Sequence, residues 1–189
     1  MELTDAALVA EARNGENDAF RVLVDRHSRS LFGLAYRMTG NQLDAEDVVQ
    51  ESFFKAYRQL GGFDQRASFG TWLYRIAVNC SLDLVRARTR RSERQPGGED
   101  DDRVAALPSP DPGPERTALS GELRARLAEA MDRLSSVERC AFVLRHFEGM
   151  RIEEVSRVLG CQPNAAKHSV FRAVQKLRRA LEPAMSPAK

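Results

Sequence analysis

The sequence has few of the residues that build disulfide frameworks and metal sites. Its three cysteines are odd in number, widely spaced and without a C-x-x-C pair, and its three histidines have no metal-binding spacing. We therefore expect no disulfide scaffold, no resident metal and no cofactor. Cys80 and Cys140 fall on predicted apolar helix faces, which indicates buried free thiols, and His27 lies on a similar face as a packed side chain. Cys161 falls in a predicted exposed turn, and we do not expect it to sense redox state.

Long apolar runs and alternating apolar and polar segments are also missing. No run is long enough to span a bilayer and no signal peptide is recognisable, so we expect a soluble, cytoplasmic protein. Apolar residues recur at spacings of three and four throughout, which predicts an all-α fold. No nucleophile-base pair or phosphate-binding loop is recognisable, and the chain is therefore predicted not to be an enzyme.

One segment interrupts the helical periodicity and divides the chain in two. Ser92–Arg116 is rich in proline and glycine, carries the acidic run Glu99–Asp102 and shows no sustained apolar period. This composition is typical of a flexible linker. A chain of 189 residues accommodates two small helical domains, predicted at residues 1–91 and 117–189.

Capping signals and periodicity predict the individual helices. In the first domain they are a short helix from Thr4-Asp5 to Arg13, one from Asp18 to Gly40, one capped by Asp44 from Ala45 to Leu60, and one from Ser68 to Arg91. In the second they are Thr117–Leu134, a helix from the Ser135 capping box through His146 to near Gly149, Arg151–Leu159, and a helix from Pro163 to about Leu181.

The helix predicted over Ser68–Arg91 carries a polar line beside its apolar stripe. The line consists of Arg75, Asn79, Asp83 and Arg86, and Trp72 is the only tryptophan of the chain. Such a line is typical of a solvated surface helix. It also offers amide and guanidinium donors of the kind that bind nucleic acid.

The segment Arg151–Leu181 has the layout of a helix-turn-helix, with a glycine in the turn. Outward positions of its second helix are polar, apart from one phenylalanine that suits a thymine methyl group, and Lys176 can reach phosphates. An ordinary helical bundle is the alternative interpretation. The outward set is Asn164, Lys167, His168, Phe171, Arg172 and Gln175.

Three stretches together resemble the extracytoplasmic-function (ECF) sigma factors of bacterial RNA polymerase. They are AEDVVQESFFKAY at Ala45–Tyr57, FGTWLYRIAVN at Phe69–Asn79, and LSSVERCAFVLRHFEGM at Leu134–Met150, which the helix-turn-helix follows. The resemblance covers nearly the whole chain. It implies a sigma region 2 domain and a sigma region 4 domain, joined by a linker without a region 3 domain.

The resemblance implies a role for each surface. One set docks on the clamp helices of the polymerase β′ subunit, and region 4 docks on the β flap. Phe63–Thr71, which includes Phe63 and Ser68, helps to hold a flipped base. The residues that dock on the clamp helices are Asp44, Glu46, Asp47, Gln50 and Glu51. The residues that read and open the minus-ten promoter element are Trp72, Arg75, Asn79, Asp83 and Arg86. The residues that read the minus-thirty-five element are Lys167, His168, Ser169, Phe171 and Arg172, with Asn164 and Lys176 beside them.

The resemblance also implies a path for the linker. The linker would thread through polymerase channels that nucleic acid normally occupies, which is consistent with its acidic run. A further hypothesis, motivated by the linker and by the lack of a recognisable sensor domain, is that an anti-sigma factor wedges between the domains and holds the protein inactive. Such a partner would supply any membrane contact.

The chain departs from the family pattern at three positions. Ser169 replaces a basic residue, which leaves the minus-thirty-five sequence open. Arg151 stands where a capping serine is common, and a lost cap costs about 1 kcal/mol, so we expect that helix to fray. Trp72 stands without the aromatic partner of housekeeping sigma factors, so melting is expected to depend on capture of one extruded base.

Two rival functions remain open from the sequence. A stand-alone helix-turn-helix regulator would bind duplex DNA by itself and would have no use for the acidic block from Asp44 to Glu51. An adaptor that sequesters a sigma factor would have no need of Arg75, Asn79 and Phe171 as a set.

Overall fold

The computed structural model describes residues 3–94 and 125–185, and within these ranges all regular structure is helical. The all-α prediction is thus confirmed. Most of the predicted linker, and the start of the helix predicted from Thr117, lie outside the described residues. The predicted start of the linker at Ser92 was wrong, because Ser92 to Arg94 continue the preceding helix.

The first helical unit has four α-helices and one short 3-10 turn. They are α1 (Asp5–Arg13), α2 (Asn17–Thr39), α3 (Gln42–Gln59), the 3-10 turn Leu60–Gly62 and α4 (Phe69–Arg94). Residues 60–68, between α3 and α4, are called the connector below.

The ends of these helices follow local hydrogen-bonding rules. Thr4 caps α1 by accepting a hydrogen bond from the Ala7 amide, and Gly40 ends α2 in a left-handed conformation with φ of 84°, as predicted. The prediction that Asp44 caps α3 was wrong. The cap is Asn41, whose side-chain oxygen accepts from the Asp44 amide at 2.8 Å, so the helix begins a turn earlier.

The core of the first unit lies between α2, α3 and α4, and α1 packs on α2. Leu23, Leu34, Val48, Leu73 and Ala77 are all buried there. The predicted apolar stripe of α4 therefore faces inward. Val78 and Ser81, which lie off that stripe, are also buried, so the buried part of this helix is wider than the predicted stripe.

The second helical unit also consists of helices. They are α5 (residues 125–132), α6 (Ser136–Phe142), the π-helical turn Val143–Phe147, α7 (Ile152–Leu159) and α8 (Pro163–Met185). Leu134 lies beyond the end of α5. His146 lies in the π-helical turn and not in a continuous α-helix, which corrects the prediction for that segment.

Caps in the second unit hold the helix-turn-helix in shape. Ser135 and Glu138 form the predicted capping box at the start of α6. Arg151 has no hydroxyl with which to cap α7, as the sequence indicated. Its amide instead donates to the Glu154 carboxylate at 2.9 Å, and α7 is helical from its first turn. Gly160 ends α7 with φ of 63°.

Candidate functional site

The outer face of α3 combines acidic and apolar side chains. Glu46, Asp47, Gln50 and Glu51 are exposed as the sequence suggested, and Glu51 pairs with Lys55 at 3.2 Å. Asp44 behaves differently, because its carboxylate accepts from Asn41 at 2.7 Å and pairs with Arg88 of α4 at 3.3 Å. It is therefore engaged within the first unit and only partly available to a partner.

Two apolar residues on this face were missed by the sequence analysis. Leu43 is 65% exposed and Phe54 is 56% exposed, with the Arg58 guanidinium 5.5 Å from the Phe54 ring centroid. Their spacing, with Asp47 and Gln50 between them, places all four on one line of the helix. An exposed apolar line among carboxylates is typical of a protein-docking surface. We call this surface the docking face: Leu43, Glu46, Asp47, Gln50, Glu51 and Phe54.

The polar line of α4 lies on the surface as predicted. Arg75, Asn79, Asp83 and Arg86 are exposed, and Asp83 pairs with Arg86 at 3.6 Å, one turn away. The line thus presents one amide and two guanidinium groups along a single stretch of helix, with one guanidinium partly neutralised.

At the start of α4 the aromatic rings form a packed cluster. The Trp72 ring stacks on Phe63 with centroids 4.8 Å apart and an interplanar angle of 28°, and Phe69 lies 5.8 Å from Trp72. Phe63 and Phe69 are buried, whereas Trp72 is half-buried. Phe63 therefore supports the Trp72 ring and does not itself present a surface, while Ser68 accepts from the Thr71 amide and caps α4.

The exposed face of α8 contains most of its predicted residues. Asn164, Lys167 and His168 are exposed near the start of the helix, and Phe171 is 61% exposed. Ser169 is an exception, because only 5% of it is exposed and its hydroxyl donates to the Ala165 carbonyl at 3.0 Å. The structure therefore leaves Ser169 out of this face.

Two cations of α8 are anchored on a buried carboxylate of α6. The Glu138 side chain is 6% exposed, and it accepts from Lys176 at 2.7 Å and pairs with Arg172 at 3.7 Å. Burial opposes its ionisation, but the Lys176 and Ser135 hydrogen bonds outweigh it, so the pKa of Glu138 lies below its usual value. Glu138 thus holds the side chains of Arg172 and Lys176 in place. In the sequence, Glu138 was recognisable only as a member of the capping box.

The two helical units meet at a polar cluster. The Tyr74 hydroxyl of α4 donates to Glu148 at 2.6 Å, and Arg37 of α2 lies 3.6 Å from the same carboxylate. The Arg37 guanidinium also sits 4.3 Å from the Phe147 ring centroid. Burial first, and then the bond to Glu148, raise the pKa of Tyr74 well above its usual value.

A second contact between the units involves the end of α2. Arg139 donates to the Met38 carbonyl at 3.3 Å, and the Cys140 sulfur lies 3.6 Å from the Met38 sulfur. Burial raises the pKa of the Cys140 thiol to about 12, so it stays protonated near neutral pH. Cys80 is also buried, and both match the prediction.

Residues 3–94 and 125–185 hold no cluster of three or more histidine, cysteine or acidic side chains arranged to ligate a metal. His27 packs against Phe69 with ring centroids 5.4 Å apart, as predicted for a packed histidine. Among the same residues, no helix has the length and apolarity that crossing a membrane requires.

Comparison with known proteins decides the family. Residues 23–91 match the sigma-70 region 2 family model, and residues 124–177 match the sigma-70 region 4 family model. The RNA polymerase sigma-H factor of Pseudomonas aeruginosa is 34% identical, over 97% of this chain and 97% of that protein. The chain belongs to the ECF RNA polymerase sigma factor family.

Other relatives agree with this assignment. The ECF RNA polymerase sigma-E factor of Haemophilus influenzae is 34% identical, over 97% of this chain and 98% of its own length. A solved structure of CnrH in complex with the cytosolic domain of CnrY shares 31% identity, with a TM-score of 0.70, over 96% of this chain and 99% of CnrH. Sigma factors are DNA-binding initiation factors, and this one directs promoter-specific transcription by RNA polymerase.

Proposed function

We propose that this sigma factor uses three separate surfaces in initiation: the docking face on α3 for core polymerase, the exposed line of α4 for the minus-ten element, and the exposed face of α8 for the minus-thirty-five element. The observation that supports the proposal is that one chain carries all three of these surfaces. A surface of carboxylates and exposed apolar groups suits a protein, whereas the other two suit DNA.

The docking face is assigned to the clamp helices of the polymerase β′ subunit, and the second helical unit to the β flap. Glu46, Asp47, Gln50 and Glu51 supply the polar contacts there, and Asp44 acts mainly by holding Arg88. Leu43 and Phe54 contribute the apolar area that an isolated acidic patch lacks. Exposed charge steers association, and buried apolar area sustains it.

The exposed line of α4 is assigned to the minus-ten element. Arg75, Asn79 and Arg86 can donate to phosphates and base edges of the melted strand. Asp83 orients Arg86 through their 3.6 Å pair. Trp72, supported from below by Phe63, offers a ring against which an extruded base can stack, and the connector supplies the remaining walls of that base pocket.

The α8 face is assigned to the major groove of the minus-thirty-five element. Asn164, Lys167 and His168 lie at its N-terminal end, where a recognition helix reaches base edges. Phe171 can contact a thymine methyl, and Arg172 and Lys176 can reach phosphates from their anchor on Glu138. Ser169 supports the helix from its buried side.

Control by an anti-sigma factor is part of the proposal, as is a cytoplasmic location without enzymatic activity. Its support is the likeness to CnrH, whose solved structure contains a cytosolic partner domain and matches both units of this chain. The chemistry expected of the chain is binding and strand capture, with no bond made or broken.

The test compares alanine variants of both DNA faces in holoenzyme assembled with core polymerase. Arg75→Ala, Asn79→Ala and Phe171→Ala should each lower run-off transcription severalfold without changing core affinity. An adaptor would show no change in transcription from any of them. A stand-alone regulator would bind duplex DNA tightly without polymerase, and core polymerase would initiate equally well in its absence.

A further inference from the structure

Helix α1 lies outside residues 23–91, which match the region 2 family model, yet it is part of the folded unit. Leu8 and Val9 are buried, and α1 contacts α2, α4 and the 3-10 turn. At its end, Arg13 binds carbonyls at the start of the connector; at its beginning, Asp5 binds His27 of α2, which packs on Phe69 just after the connector. The proposed roles described above give α1 no part.

The first of these side chains is Arg13, the last residue of α1. Its Nε donates to the Leu60 carbonyl at 2.9 Å, and its Nη2 donates to the carbonyls of Gly61, at 3.4 Å, and of Phe63. These carbonyls lie where α3 ends and the connector begins, and the negative end of the helix dipole there favours a cation. One guanidinium thus fixes the path of the chain into Phe63.

The second side chain is Asp5, the first residue of α1. Its carboxylate accepts from Arg26 at 2.5 Å and lies 2.8 Å from the Nε2 atom of His27. The His27 ring in turn packs on Phe69, and a Cβ added to Gly70 would lie 3.5 Å from its Cε1 atom. Asp5 therefore holds the histidine that buttresses the start of α4, where the connector ends.

The groups held in this way are those of the base pocket. Arg13 binds the carbonyl of Phe63 itself, and the Phe63 ring supports Trp72 at 4.8 Å. Between the two anchored ends, Asp64 and Arg66 are exposed and Gln65 has a positive φ of 58°. A loop with a strained backbone keeps its shape only if its surroundings hold it.

We propose that α1 braces both ends of the connector, and that Arg13 is a positioning residue that sets the Phe63–Trp72 stack for capture of an extruded base. This inference rests on the proposed function, in which the stack and the connector form the base pocket. Arg13 acts through backbone carbonyls and touches no DNA. Removing it should therefore impair strand opening and leave the other two surfaces intact.

The test uses Arg13→Met in holoenzyme, on a promoter that the wild-type holoenzyme opens, with Arg21→Met as the matched control. Arg21 is an exposed arginine of α2 in the same unit. Permanganate reactivity of unpaired thymines measures opening, and titration measures core affinity. Because misplacement of a contact by about 1 Å can cost up to about a hundredfold, we expect Arg13→Met to lower opening roughly tenfold, with core affinity and protection of the minus-thirty-five region unchanged.

A spectroscopic measurement separates positioning from general instability. Trp72 is the only tryptophan, so in the protein without core polymerase the fluorescence reports on the surroundings of this one ring. Arg13→Met should shift its emission, whereas Arg13→Lys, which keeps a cation near the carbonyls, should restore part of both emission and opening. Wild-type opening and emission in folded Arg13→Met would overturn the brace, as would equal loss of opening in Arg21→Met.

If Arg13→Met fails to fold, a second variant tests the brace in its place. Asp5→Asn loosens the opposite end of the brace while α1 keeps its buried apolar residues, and it should reduce opening in the same direction. Normal opening by folded Asp5→Asn would overturn the brace. Failure of the wild-type holoenzyme to open any promoter would instead overturn the proposed function itself.

Discussion

The Tyr74 hydroxyl and the Glu148 carboxylate are 2.6 Å apart, and they join the first helical unit to the second. Tyr74 belongs to the same helix as Arg75 and Asn79. The second unit therefore packs on the helix that is assigned to the minus-ten element. This arrangement is a closed one, and it bears directly on how two promoter elements can be read at once.

Reading both elements requires the two units to separate. Elements about 25 base pairs apart are on the order of 80 Å apart along B-DNA, whereas α4 and α7 are in contact. The bond between Tyr74 and Glu148 opposes that separation.

Replacing Tyr74 by phenylalanine should favour the open form. A hydrogen bond to a charged group is worth about 1.5–3 kcal/mol, so the ratio of open to closed protein should rise by at least roughly tenfold. Cys140, buried beside Met38 of the other unit, reports on this opening through its rate of alkylation. We expect that rate to rise roughly tenfold in Tyr74→Phe.

The controls for this measurement lie within the same chain. Tyr57→Phe removes the 2.9 Å bond to Asn17 within the first unit and should leave Cys140 labelling unchanged. Cys80, buried in the first unit, should stay protected in both variants. Equal labelling of Cys140 in Tyr74→Phe and wild type would show that this bond does not hold the units together.

The three thiols should differ in reactivity in the wild-type protein. Cys161 is partly exposed and should be alkylated first, whereas burial and a pKa of about 12 protect Cys140. Mass spectrometry after timed alkylation at neutral pH measures the order. Modification of Cys140 before Cys161 would contradict the burial described here.

Changes on the docking face should weaken binding to core polymerase. Asp47→Arg reverses a charge, and Phe54→Ser removes exposed apolar area, so each should raise the dissociation constant roughly tenfold or more. Asp25→Arg makes a similar charge reversal on an exposed position of α2, outside the docking face and the second unit, and serves as the control. Wild-type affinity of both α3 variants in a polymerase titration would exclude this face as the contact.

Glu138 should make the stability of the second unit depend on pH. Glu138→Gln should lower the free energy of unfolding by roughly 1–2 kcal/mol at pH 7, a modest effect because Arg172 and Lys176 are largely exposed. The folded-state pKa of Glu138 is depressed, so its contribution is complete above the unfolded value near 4.5 and is lost as the pH falls through the folded value. Urea unfolding of both proteins from pH 7 to pH 3 should show the difference shrinking below about pH 4.5, and a constant difference would contradict the role of the charge.

The sequence predicted those features that depend on neighbours along the chain. Helical periodicity located the core stripe of α4, and local capping signals located both ends of α1, the end of α2 and the start of α6. Asn41 was missed as the cap of α3 because Asp44, three residues later, is an equally good capping type, and only the backbone distinguishes them.

Features that depend on contacts distant in sequence were not predictable in this way. Nothing in the spacing of Val78 and Ser81 indicates that both will be buried in the fold. In the sequence, Arg13 is indistinguishable from any cation in the last turn of a helix. Its carbonyl partners lie about fifty residues further along the chain. Leu43 and Phe54 fall outside the inward stripe of α3. Only the fold shows that no other helix of residues 3–94 and 125–185 covers them and that they belong to the docking face.

The most direct test of the account is in vitro transcription of fragmented host DNA by core polymerase, with and without this protein, followed by mapping of transcript start sites. The account predicts a defined set of start sites that appears only with the protein and is lost with Arg75→Ala or Asp47→Arg. Start sites that are the same with and without the protein, together with tight binding of duplex DNA by the protein alone, would contradict it.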